Sequence, residues 1–319
     1  MPSSISDSDR RKAGQAILVL LGLLLAYLGA LEAAASFGFP RVNHYWRRIL
    51  ADQHDAISIC PSATNGSPTT LFIGNSLLEW AVDRDLLHKE LSPLYFSSVL
   101  PIENTSYLDW FFGLRRLFSE GSRPAAVGVF LSTRQLISEK TMGEPFAHSM
   151  MLERDIFAVK HEAHLDNTSA SNYFFARSSS WLGYRSEVRN WLLQKLMPNV
   201  GDLTRYLPGK TPSMPPTDEV LTRALPRLRT LNELCKQHRV KFFLVVPPTF
   251  DVHDSSLALR AAAAREGILV LVPYSPSEMP SEGFQPDGFH LNSHGADLFT
   301  RRTALLLLQK LANQPAPVS

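Results

Sequence analysis

A chain of 319 residues, 45% of them hydrophobic, can bury a full core, which excludes a disordered chain and leaves one large domain or two small ones. The formal charge of +2 and the lack of any long Lys/Arg run argue against a nucleic-acid partner. With only Cys60 and Cys235, a disulfide-rich scaffold and a cysteine zinc site are both excluded; either one bridge or two separate thiols remain.

The N-terminus is read first. Arg10-Arg11-Lys12 precedes an uncharged apolar run from Ala13 to Leu31, about the length that crosses a bilayer's hydrocarbon core. A positive flank before an apolar run also describes a signal peptide, with Ala33-Ala34-Ala35 as its cleavage site. The run is longer than most signal cores, so the expectation is an uncleaved anchor. It comprises a cytoplasmic tail (1–12), one transmembrane helix (13–38) and a stalk (39–68), with the remainder outside the cytoplasmic membrane. Arg41, Arg47 and Arg48 follow the span closely and blur that orientation.

Beyond the Pro/Ser/Asn/Gly cluster at 61–68, one domain is expected over 69–314. Short apolar runs at 70–73, 94–99, 125–131, 241–246 and 268–272 read as strands. Helical patterns are expected at 77–91, 107–118, 217–238, 255–266 and 292–311. Thr217 is a candidate N-cap for the fourth helix, and Pro226 is expected to kink or split it. Residues 137–210 hold helical pieces without a strand and read as an inserted cap. Strands alternating with helices predict a parallel five-stranded sheet covered on both faces, with ligands beyond the carboxyl ends of the strands.

Ser76 falls at one such end, in Gly74-Asn75-Ser76-Leu77. A serine at a strand-to-helix turn projects into the crevice, and the helix start supplies N–H groups for a developing oxyanion. Serine is equally suited to cap that helix, and this segment by itself slightly favours the cap. Asp287-Gly288-Phe289-His290, before the last helix, shifts the balance. An Asp three residues ahead of a His can orient the imidazole, which can then accept and return the serine proton.

With these two blocks the chain resembles SGNH/GDSL-type hydrolases, departing from Gly-Asp-Ser-Leu only at Asn75. The resemblance covers about 70–135 and 217–312. It implies a flavodoxin-like three-layer α/β/α fold and an esterase or acyl-transfer activity, with Ser76, Asp287 and His290 as a triad. The family places a glycine after the second strand and an asparagine after the third. Here Asn104 is the expected occupant of the glycine position, since asparagine tolerates left-handed backbone angles, and Thr133 stands where asparagine is expected. The oxyanion hole is thus expected from Ser76, Asn104 and Thr133.

A narrower similarity is to membrane-anchored proteins that acylate exported polysaccharides or teichoic acids, often beside a multi-span membrane acyltransferase. It rests on the anchor and on Tyr107-Leu108-Asp109-Trp110 with Gly113-Leu114-Arg115-Arg116-Leu117. It implies an acylated, in particular an acetylated, cell-envelope glycan as substrate. The altered middle blocks also fit a non-catalytic scaffold or binding subunit of an envelope polysaccharide assembly. No cofactor or metal is expected: His161-Glu162-Ala163-His164 lacks the i, i+4 histidines of a zinc helix. Trp80 and Trp110 read as core or cleft-wall aromatics.

Overall fold

The computed structural model describes residues 7–60, 67–197, 215–249, 254–275 and 278–312. The first six residues of the expected tail, most of the cluster at 61–68, the end of the insertion from 198 and the last two domain residues lie outside them.

Five parallel strands, β1 (Thr69–Gly74), β2 (Phe96–Pro101), β3 (Ala126–Phe130), β4 (Lys241–Val245) and β5 (Leu269–Leu271), stand in the order β2-β1-β3-β4-β5. This is the flavodoxin-like order, with its switch point at β1 and β3. Alternate side chains of each strand enter opposite layers. Leu71, Ile73, Val127, Val129, Phe242 and Leu244 pack beneath helices His44–Ile57, Tyr107–Ser119 and Thr217–Gln237. Phe72, Phe130, Phe243 and Val245 face the other layer, with Ser76–Ala81, Arg84–Leu91 and Ser293–Ala312. The fold is three-layer α/β/α, and all the expected strands form.

Several local expectations change. The helix expected over 77–91 is two helices, because Val82 is extended and the Asp83 carboxylate accepts from Leu86 N–H to start the second. Thr217 is the first helical residue rather than the cap, a position taken by Pro216. Pro226 lies inside an unbroken helix 217–237.

The segment expected to be a stalk is largely part of the core. Trp46, Ile49 and Ala56 of helix 44–57 are fully buried against the sheet layer. Its amphipathic pattern places these residues on one face, and that face replaces the water an extended tether would meet. The helices of the 137–210 insertion pack on one another, on helix 107–119 and on the N-terminal segment.

The helix Asp7–Ala33 is long and apolar enough to cross a membrane, and its apolar window is entirely unburied by the protein. It runs on through Ala34–Gly38 and Phe39–Val42, where Ala35 and Phe39 are buried. Cys60 and Cys235 are not bridged; burial pushes the Cys235 thiol up to about 12.

Candidate active site

Gly74 ends β1 against Phe130 of β3. A Cβ there would lie 2.8 Å from both the Cβ and the carbonyl oxygen of Phe130, so only glycine lets the strand turn at this point. Asn75 follows, with 1% of its surface exposed. Its Oδ1 accepts from Leu77 N–H (2.9 Å), and its Nδ2 donates to the Thr105 carbonyl (2.9 Å). Asn75 is therefore the helix cap. Ser76 is relieved of that task, and its hydroxyl points elsewhere.

It meets His290. The Ser76 Oγ to His290 Nε2 distance is 3.0 Å, and His290 Nδ1 lies 2.7 Å from Asp287 Oδ2. The other carboxylate oxygen accepts the N–H groups of Phe289 (2.9 Å) and His290 (3.0 Å). That turn requires a left-handed Gly288, at φ 65°. The loop is also closed by Gln285 N–H to the His290 carbonyl (2.7 Å) and by Asn292 Nδ2 to the Phe284 carbonyl (3.1 Å). Partial burial pushes the Asp287 carboxyl up. The bonds from the His290 ring and the two N–H groups outweigh it and hold the group below the usual carboxylate range. The structure thus joins residues from the two ends of the domain, 214 positions apart, into one hydrogen-bonded chain.

The second loop sits beside Ser76. Ile102 N–H donates to the Gly74 carbonyl (2.9 Å), and Thr105 Oγ1 donates to the Ile102 carbonyl (2.7 Å) while accepting from Trp110 Nε1 (2.9 Å). Glu103 N–H donates to the Tyr45 hydroxyl at 3.0 Å. Between these fixed points Asn104 is exposed and takes φ 61°, the left-handed conformation for which asparagine is suited.

Thr133 is placed differently from its expected role. It is the first residue of helix Thr133–Ile137, 3% exposed, and its Oγ1 donates to Asp254 Oδ1 at 3.3 Å. A hydroxyl has one proton, and here it is directed at a carboxylate rather than toward Ser76.

One feature escaped sequence reasoning. Helix 44–57 reaches the site twice, through Tyr45 to the Asn104 loop and through Arg48, which pairs with Glu79 on the Ser76 helix. Arg84 continues that network to Glu79 (3.2 Å) and to Asp52 (2.9 Å). Spacing within the chain cannot reveal such contacts, because each joins two segments across a layer. Two exposed rings flank His290: Trp80 (48% exposed) lies 6.3 Å from its ring and Phe289 (36%) lies 5.0 Å from it. Trp80 is thus a cleft-wall aromatic. Trp110, fully buried, belongs to the core.

No family model and no curated protein sequence matches the chain. Among solved structures, a GDSL-like lipase from Bacteroides thetaiotaomicron is similar at 11% identity and a TM-score of 0.40, covering 83% of this chain and 97% of that one. A mutant of Axe2, an acetyl-xylooligosaccharide esterase from Geobacillus, matches at 12% identity and a TM-score of 0.37, covering 79% and 97%. A catalytic mutant of Axe2, described as an acetylxylan esterase from Geobacillus stearothermophilus, matches at 11% and 0.36, covering 79% and 97%. Likeness this distant carries no information on chemistry, which has to come from the side chains of this chain.

Proposed function

We propose that this protein is a membrane-anchored serine esterase or O-acyltransferase of the SGNH type. The observation that carries the proposal is the unbroken chain from Ser76 Oγ through His290 to Asp287, at 3.0 and 2.7 Å. Ser76 attacks an acyl carbonyl while His290 Nε2 takes its proton, and the same nitrogen then protonates the leaving oxygen. Asp287 accepts a hydrogen bond from the Nδ1–H, which fixes the tautomer and favours the imidazolium that forms. The N–H of Ser76, first in its helix and so without an intrahelical acceptor, holds the oxyanion together with Asn104. Water or a second hydroxyl then releases the acyl group from Ser76.

An anchor favours a substrate at the membrane surface, and the family resemblance favours an acylated envelope glycan, with a multi-span acyltransferase as the supplier of acyl groups. Retention of the anchor fits the position of Ala33-Ala34-Ala35. These residues lie in a continuous helical segment packed on the domain, and Ala35 is 2% exposed. A peptidase needs such a site extended.

A fluorophosphonate probe on the detergent-solubilised full chain tests the chemistry. Wild type is labelled at Ser76, and Ser76→Ala is not. Labelling that persists in Ser76→Ala removes Ser76 from the nucleophile role.

A second reading, a scaffold that keeps the fold without the chemistry, is favoured by Thr133, whose hydroxyl is turned to Asp254. Losing one oxyanion donor costs on the order of 10²–10³ in rate, which slows such a site without abolishing it. Wild-type protein that neither takes the probe nor hydrolyses p-nitrophenyl acetate establishes the scaffold instead.

A further inference from the structure

The insertion carries an apolar surface that the proposed chemistry does not use. Phe157 is 78% exposed, Phe175 55% and Phe174 41%. Phe157 belongs to helix Ile156–Glu162 and the other two to helix Asn167–Ser178, yet all three line one apolar depression of about 380 Å³. Single apolar side chains are common on soluble proteins, whereas a contiguous aromatic patch marks a contact.

The position of the patch identifies that contact. Phe175 begins the last turn of their helix with Phe174 just before it, and Ser179 N–H donates to the Phe175 carbonyl. The next residues grip the N-terminal apolar helix. Glu32 accepts from the Ser179 hydroxyl (2.6 Å), from Ser180 N–H (2.7 Å) and from Trp181 N–H (3.1 Å). The hydroxyls of Ser36 and Ser180 are bonded at 2.9 Å. The Glu32 carboxylate so caps the helix Ser180–Leu196, where unpaired N–H groups favour an anion.

Glu32 is also the first charged residue after the uncharged run that begins at Ala13. That run is about 28 Å long at 1.5 Å per residue, close to the thickness of a bilayer's hydrocarbon core. The chain therefore leaves the hydrocarbon at the point where Ser179, Ser180 and Trp181 are attached to it. Phe175 lies one helical turn from that joint, about 6 Å along its axis. Phe37, 66% exposed, follows Glu32 on the anchor itself.

We propose that Phe157, Phe174, Phe175 and Phe37 form an aromatic foot that enters the bilayer interface around the exit of the N-terminal span. The proposal rests on reading that helix as a membrane anchor. Burial of apolar area drives the contact, as for amphipathic helices that lie in the interface. Arg154 and Lys160 lie close to Phe157 in the chain, together with Glu153 and Glu162, so the charges near it are of both signs. A domain attached at the span and at the foot stands at a fixed orientation on the membrane, with Ser76 at a fixed height above it.

The test places the full-length chain in phosphatidylethanolamine/phosphatidylglycerol vesicles containing a phosphatidylcholine with a diazirine near the carbonyl end of its acyl chain. After irradiation, lipid adducts are mapped by peptide mass spectrometry. Adducts are expected in 13–31 and on the peptides carrying Phe157 and Phe174-Phe175, at least tenfold above those on helix 217–237. Adducts in 13–31 without enrichment on the phenylalanine peptides overturn the foot and leave the anchor standing. No adducts in 13–31 overturn both.

Discussion

Asn75 forms two hydrogen bonds of opposite sense, accepting from Leu77 and donating to Thr105, which an ionised carboxylate cannot do because it has no proton to donate. An aspartate here, as in Gly-Asp-Ser-Leu, would keep the cap and set a carboxylate against the Thr105 carbonyl. Asn75→Asp is therefore expected to cost about 1–3 kcal/mol of stability, read as a lower thermal midpoint, and to loosen the link between the Ser76 and Asn104 loops. At Asp287 the balance of burial and three donors leaves the carboxyl below its ordinary range. What its charge contributes to stability is thus present above the unfolded value of about 4 and lost only as pH falls through the lower folded value. Acid loss of activity between pH 7 and 5 accordingly does not arise at Asp287. Asp287→Asn is expected to slow fluorophosphonate labelling by about 10²- to 10⁴-fold with little change in the thermal midpoint. A mutant labelled at the wild-type rate would show that His290 needs no orienting partner.

Helix 44–57 makes the largest difference at the scale of elements. It closes one sheet layer with Trp46 and Ile49, and it supplies the hydroxyl that receives Glu103 N–H beside the left-handed Asn104. Tyr45→Phe leaves that N–H without its acceptor, which is expected to lower kcat for a nitrophenyl ester while KM changes little. Equal falls in kcat/KM through KM alone would place Tyr45 outside oxyanion-loop positioning. Helix 107–119 carries a separate pH dependence. Asp109, fully buried, closes the capping box with Ser106 and also accepts from Met142 N–H (3.0 Å). Burial pushes its carboxyl up to about 7 despite those donors. The folded chain then holds a proton that the unfolded chain has released, so stability is greatest below about pH 4 for this group and falls as pH rises toward 7. Denaturant midpoints between pH 5 and 7.5 are expected to show that fall, and Asp109→Asn to flatten it. Helix 107–119 also meets the insertion at Asp109, because Met142 begins the approach to helix Glu144–Met150.

For the molecule as a whole, the Ser76–His290–Asp287 cluster depends on parts that sequence order separates into apolar N-terminal helix, linker and domain. A chain beginning at residue 69 retains the sheet but uncovers the layer that Trp46, Ile49 and Ala56 fill. It is expected to be insoluble or unfolded, whereas a chain beginning at 39, without the apolar helix, keeps the core and the Ser76–His290 pair. Trp46→Ala in the full chain reports the same dependence at a cost of about 3–5 kcal/mol. Yields and melting curves of the two truncations decide whether 39–60 is a tether or a structural layer.

Periodicity made the five strands legible, because a strand buried on both faces is a short apolar run and a covering helix is not. Gly74-Asn75-Ser76 and Asp287-Gly288-Phe289-His290 were legible as well, since each is a local turn whose residue types carry chemistry. What sequence alone determined, then, is the succession of strands and helices along the chain, the apolar N-terminal helix and the residues able to act. Tertiary structure alone decided which residue caps the helix after β1, that the Thr133 hydroxyl turns to Asp254, and that helix 44–57 belongs to the core. It also decided that Ser76 and His290 stand 3.0 Å apart. The reason is physical: propensity and periodicity act over a few residues, whereas a hydrogen bond between residues 214 positions apart exists only once the sheet has brought both loops to one edge.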